Sequence, residues 1–115
     1  MTRGEVWWAI LEPRSRSEQR GRRPVVVVSH DAFNETPGWM SVIVVPLSTS
    51  TAQARRGPTA VALPRGSGGL KMESTALCHQ VTTLDRTKLV ERSGVLGART
   101  LETVERGLRA AMDLR

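Results

Sequence analysis

Gly21-Arg22-Arg23-Pro24-Val25-Val26-Val27-Val28-Ser29-His30-Asp31 sets two guanidinium groups directly before a run of four valines. β-Branched residues favour strands, and an unbroken apolar run suits a strand covered on both faces. Pro24 reads as the boundary of that strand, because proline gives no N–H to a sheet ladder and pushes the residue before it toward extended backbone. Arg23 is therefore expected on stiff backbone at the strand mouth, with Ser29-His30-Asp31 closing the strand in a turn. A basic loop, a proline and a short apolar strand in this order place an anion-reading group at the rim of a small barrel.

Toward the N-terminus, Glu5-Val6-Trp7-Trp8-Ala9-Ile10-Leu11 reads as a first strand stopped by Pro13, and residues 14–22 as a polar, basic loop. Trp7 and Trp8, being adjacent on a strand, must point to opposite faces. Toward the C-terminus, a turn-rich link holding Asn34, Pro37, Gly38 and Trp39 leads into a third strand, Ser41 to Ser48, where Pro46 signals an edge, a bulge or termination. Further strands are expected at Thr59–Leu63, Ser74–Val81 and Leu89–Arg92, with a single helical turn beginning at Thr83-Leu84-Asp85-Arg86. Leu101, Val104, Leu108, Ala111 and Met112 fall on one helical stripe. Glu102 to Arg106 and Glu105 to Arg109 are spaced for ion pairs worth about 0.2–0.5 kcal/mol each. Gly107 costs that helix about 1 kcal/mol against alanine, which points to close packing there. The expected fold is mainly β with a C-terminal α-helix: five or six short strands in a curled, largely antiparallel sheet capped by the helix.

At 115 residues the chain has room for one core, so a single domain over 1–115 is expected. A formal charge of +6 favours a polyanionic partner, and the charge is clustered: Arg14, Arg16, Arg20, Arg22 and Arg23 crowd one loop and Arg55-Arg56 another. Cys78 is the only cysteine, so no intrachain disulfide can form, and a reducing cytoplasm is the expected setting. With Cys78, His79 and His30 as the only soft ligands, no metal site is expected. No stretch approaches the roughly 20 apolar residues of a membrane span, and the first residues lead into a strand pattern rather than a signal-peptide core.

Arg3-Gly4-Glu5-Val6-Trp7, Ser17-Glu18-Gln19, Arg22-Arg23-Pro24-Val25-Val26-Val27, Val44-Val45-Pro46-Leu47-Ser48 and Gln80-Val81-Thr82-Thr83-Leu84-Asp85 stand in one order along nearly the whole chain. Together they resemble the MazF/PemK toxins of bacterial toxin–antitoxin pairs. The resemblance implies a small SH3-like barrel of the PemK/CcdB type, a homodimer, no cofactor, and metal-independent cleavage of single-stranded RNA in the cytoplasm. It also implies a cognate antitoxin whose acidic, disordered tail covers the RNA groove. Carried over by motif, Arg23 and Ser48 become the catalytic pair, with serine standing where threonine is commoner and Thr49 next door as the alternative hydroxyl. Glu18, Gln19, Thr49, His79 and Gln80 become RNA-contacting residues, His79 standing where an acidic residue is often found.

Such chemistry uses the substrate's own 2′-OH, a group DNA lacks. Arginine suits the phosphoryl oxygens because its fork donates two hydrogen bonds, yet its pKa makes it a poor base at neutral pH. The proton carriers visible in the sequence are His79, His30 and Glu18. Cys78 reads as a small buried hydrophobe. Two alternatives share this composition: a noncatalytic CcdB-type toxin that binds DNA gyrase, and a basic barrel that binds RNA passively.

Overall fold

The computed structural model describes residues 1–12, 20–50 and 57–115. The valine strand lies at its centre as β2 (Gly21–Val27), between β1 (Glu5–Leu11) and β3 (Ser41–Ser48). Val25, Val26 and Val27 are fully buried. Val25 and Val27 join Ala9, Leu11, Val42, Val44 and Leu89 on one side, while Val26 joins Val6, Val45, Leu47, Cys78 and Val104 on the other. Each such valine contributes about 1.5–3 kcal/mol by leaving water.

Pro24 does not open this strand. β2 begins three residues earlier and pairs with β1 throughout, Pro24 lying opposite Trp8 and Arg23 opposite Ala9. The missing N–H is tolerated because pairing with β3 starts only at Val25 opposite Pro46, leaving that edge of Pro24 open. Pro46 answers it on β3. The far edge of β3 pairs with β6 (Thr82–Asp85) over Ser41 to Val44 and with β5 (Ser74–Leu77) over Leu47 and Ser48, so Pro46 lies where the strand changes partners.

The strand order is β4-β5-β3-β2-β1-β7, with β4 at Ala60–Leu63 and β7 at Leu89–Val95; β6 is also held by β3. All the pairings are antiparallel, and the curled sheet is not closed by a pairing of β4 with β7. A turn at Ser67–Gly69 packs against β7 instead, its Gly68 carbonyl accepting from Ser93 Oγ at 2.8 Å. Glycine is required at this contact: Gly68 has φ +55°, and a Cβ at Gly94 would stand 2.6 Å from the Gly68 carbonyl carbon and oxygen.

Helix α2 (Ala98–Met112) lays Val104 and Gly107 into the core, and a Cβ at Gly107 would come within 2.6 Å of Cys78 Sγ and Val61 Cγ2. Close packing therefore accounts for the glycine. Arg106 pairs with Glu102 at 2.9 Å, as the spacing predicts, but Glu105 turns from Arg109 to Arg3 at 2.6 Å and ties the N-terminal segment to the helix. Three boundaries differ from expectation. The fifth strand stops at Leu77 and gives way to a 3₁₀ turn, Cys78–Gln80; residues 82–85 are a strand rather than a helical turn; and the turn follows at Arg86–Lys88, where Asp85 Oδ1 caps the Thr87 amide at 2.9 Å. The link after β2 also holds a short helix, α1 (Asp31–Asn34), capped by His30, whose Nδ1 accepts from the Ala32 amide at 2.9 Å. Among the described residues no helix is long and apolar enough to cross a membrane.

Two carboxylates fasten the first residues to this frame. Burial pushes the Glu5 carboxyl up, but hydrogen bonds from the Thr2 hydroxyl, the Trp7 indole and the Thr2 amide, with the nearby terminal ammonium, outweigh it and leave the group below its usual range. Asp31 is lowered first by the Arg3 amide at 2.6 Å and then by Asn34. Groups depressed by folding contribute stability that is complete above their unfolded pKa and is lost as pH falls through the folded one. Urea denaturation should show stability falling below about pH 4.5, the ordinary Glu value, with Glu5→Gln less stable at neutral pH and shallower in that fall. Gly94→Ala, which drives a methyl into the Gly68 backbone, should cost about 1–3 kcal/mol in the same titration.

Candidate active site

Beyond Val25 and Pro46 the β2–β3 ladder ends, and the space between the strands opens as a cavity of about 700 Å³. Following both strands two residues past that last pair sets Arg23 across from Ser48, and both line the cavity. Ser48 is buried at the end of β3 and its Oγ accepts the Ser50 amide at 3.1 Å, leaving the hydroxyl proton uncommitted among the described residues. Thr49 and Ser50 follow on the same wall, exposed, so the hydroxyl alternatives Ser48 and Thr49 both reach this space. Pro24, Leu47 and Leu70 supply apolar lining, and Lys71 and Met72 stand on the turn that precedes β5.

The two arginines of the motif part company here. Arg22 donates to Glu91 on β7 and lays its guanidinium 4.8 Å from the centre of the Trp8 ring. Arg23 has no hydrogen bond or ion pair with another described residue. One guanidinium is therefore built into the wall, while the other residue lines the same cavity with its donors unspent among the described residues. Glu91 stands directly opposite Trp8 in the β1–β7 register and is the only carboxylate on the described lining.

Other residues singled out in the sequence lie elsewhere. His79 and Gln80 belong to the turn Cys78–Gln80 and line a separate recess of about 10 Å³ with Thr59, Ala60 and Leu77, away from Arg23 and Ser48. The family resemblance put them beside the RNA; separately, the residue pattern read strand to Val81, whereas the chain turns at Cys78, whose Sγ lies 3.6 Å from the Val104 carbonyl of α2. His30 is spent as the α1 cap. Neither histidine named as a proton carrier lines the cavity. Glu18, Gln19 and the arginines at 14, 16, 55 and 56 lie outside the described residues. Trp39 packs against Phe33 with ring centres 5.1 Å apart and the rings tilted by 37°, and neither belongs to this lining. Among the described residues no three His, Cys, Asp or Glu side chains gather as a metal site.

Trp8, Lys71 and Glu91 are cavity residues that the sequence did not announce. For Glu91 the signal is the β1–β7 register, which carries two shifts and so cannot be counted from the sequence. Cys78 is fully buried, and burial pushes its thiol up to about 11. It should stay unmodified by iodoacetamide at pH 8 in the native protein and react once urea unfolds the chain, as intact-mass measurement would record.

A family model described as PemK-like, MazF-like toxin of type II toxin–antitoxin system matches residues 2–112. Endoribonuclease MazF6 of Mycobacterium tuberculosis is 32% identical over 114 residues, covering 99% of this chain and 98% of its own length. Endoribonuclease MazF of Staphylococcus saprophyticus is 30% identical, covering 99% of this chain and 92% of its own. Among solved structures, MazF from Deinococcus radiodurans superposes with a TM-score of 0.79 at 26% identity, over 99% of this chain and 97% of that one. A mycobacterial endoribonuclease solved in complex with its cognate antitoxin gives 0.74 at 23% identity, over 100% and 95%, a likeness of fold.

Proposed function

The chain belongs to the PemK-like, MazF-like toxins of type II toxin–antitoxin systems, and from that premise we propose that it is an endoribonuclease that cleaves single-stranded RNA at specific sequences without a metal. One observation carries the assignment of the site: a guanidinium with no partner among the described residues, Arg23, and a buried hydroxyl, Ser48, share one cavity at the point where two strands part. In this reading the substrate 2′-oxygen forms a bond to the adjacent phosphorus, and the bond from phosphorus to the 5′-oxygen breaks. The products are a 2′,3′-cyclic phosphate and a 5′-hydroxyl. The proton leaving the 2′-oxygen and the one gained by the 5′-oxygen pass through a neighbouring base or water. Arg23 meets the charge that gathers on the phosphoryl oxygens, and Ser48 adds a hydroxyl donor to the same group.

A fixed cation in a partly apolar cavity stabilises such a charge far better than the same group in water, because its orientation needs no reorganisation. Thr49 stands beside Ser48 as a second contact to the phosphate or as the donor itself. Glu18, Gln19, His79 and Gln80 are proposed as outer contacts to a longer RNA strand, the last two on a surface apart from the cavity. The same reading makes the molecule a cytoplasmic homodimer of one toxin domain, residues 1–115, held inactive by a cognate antitoxin. An acidic antitoxin tail would meet Arg23 and Lys71 in the cavity and the net charge of +6. Relatives named as endoribonucleases over nearly the whole chain leave the gyrase-binding and passive-barrel alternatives without support.

Purified protein in excess EDTA should cut a long single-stranded RNA at discrete positions, leaving the cyclic-phosphate and 5′-hydroxyl ends. Arg23→Ala should lower the rate roughly 10²- to 10³-fold with RNA binding retained. Ser48→Ala should lower it roughly 10- to 100-fold, and a smaller effect of Thr49→Ala would identify Ser48 as the acting hydroxyl. Intact RNA from a folded sample would sink the proposal.

A further inference from the structure

Resting on the ribonuclease reading, the geometry points to a guanine-reading subsite built from Trp8, Arg22 and Glu91 at the end of the cavity opposite Ser48. We infer that the nucleotide flanking the cut phosphate places its base there, and that Glu91 selects it. The strands set the scale. Glu91, Trp8 and Pro24 lie side by side on β7, β1 and β2, and Ser48 stands one strand further on. From Glu91 to Pro24 the backbone spans two strand spacings, about 10 Å, and Ser48 lies beyond, across the gap where the β2–β3 ladder has ended. Glu91 and Ser48 line the same cavity, so a strand held at Ser48 can extend toward Glu91.

The chemistry of the wall fits a base and not a second phosphate. Trp8 presents an indole already covered by the Arg22 guanidinium, and a planar guanidinium on an aromatic ring is itself a flat shelf on which a base can stack. Arg22 is neutralised by Glu91, which removes it from competition with Arg23 for the phosphate. With Arg22 as its ion-pair partner Glu91 adds little net charge to the wall, and what it offers a ligand is a carboxylate oxygen that accepts hydrogen bonds.

One carboxylate oxygen takes the Arg22 bond, and the other has no partner among the described residues. Facing a base, a carboxylate is acceptor-only. Guanine alone offers two adjacent donors, N1–H and the N2 amino group, on its Watson–Crick edge. Cytosine and adenine set a ring-nitrogen acceptor beside their amino group, and uracil flanks its N–H with two carbonyls, so each of those edges also turns a lone pair toward the carboxylate.

The test is cleavage of a randomised single-stranded RNA by the full chain, with the cut sites sequenced, beside Glu91→Gln. Glu91 is 62% exposed, so the isosteric change leaves the fold intact. The expected result is guanine favoured roughly 10- to 100-fold at one position flanking the cut, with that preference lost in the variant. Inosine, which lacks the N2 amino group, should cost the native chain about tenfold at that position and leave the variant unaffected. Cuts without a guanine preference, a preference unchanged in Glu91→Gln, or a uniform loss at every sequence would overturn the subsite and leave the ribonuclease standing. RNA left whole by the native chain would overturn both.

Discussion

Val25 and Pro46 form the last backbone pair between β2 and β3, and the candidate site exists because the ladder ends there. Neither Pro24 nor Pro46 has an N–H to extend it. Past that pair β3 changes partners from β6 to β5 on its far edge, while β2 continues against β1 alone. Two strands that belong to one sheet at Val26 and Val27 thus lead to different walls by Arg23 and Ser48. The valines on either side make the arrangement stiff, being fully buried in two opposed apolar clusters that fix the register. A slip of one residue would exchange those faces.

The electrostatics follow from the same geometry. Arg22 and Arg23 both line the cavity, yet they do not act as a pair despite standing together in sequence, because their partners differ. Arg22 meets Trp8 and Glu91 and becomes part of the wall; Arg23 keeps its donors free of any described residue. A phosphate entering the cavity encounters Arg23 and Lys71 with little opposition from the neutralised Arg22–Glu91 couple. The open seam of the sheet, bridged by the tight contact of Gly68 with Gly94, lies beside this wall through Ser93 and Gly69, so the packing there also shapes the cavity.

Much of this was legible in the residues. β1 and β3 have the limits their β-formers announce, and the stripe from Leu101 to Met112 is a helix with Gly107 pressed on Cys78. Arg23 and Ser48, which only the family motif brought together in the sequence, both line one cavity. What local pattern did not disclose depends on tertiary contact. Residues 78–80 leave the strand in a turn that packs Cys78 beneath Gly107 of α2, and His79 and Gln80 lie off the cavity lining. Thr82 to Asp85 become strand because β3 offers an unpaired edge, overriding a cap signal that acts one turn later. Glu105 prefers Arg3, a partner far away in the sequence, to Arg109 on its own helix. Glu91 enters the site through a shifted register between β1 and β7.

In the proposed reaction the substrate's own 2′-hydroxyl attacks a phosphate held by Arg23 and Ser48. The most direct measurement compares, in single-turnover reactions, an RNA oligomer carrying one cut site with the same oligomer lacking the 2′-oxygen at that one nucleotide. The account predicts that the two bind equally well and that only the all-RNA oligomer is cleaved. Cleavage of the substituted oligomer at the same bond would contradict it, since another nucleophile would then have to be at work.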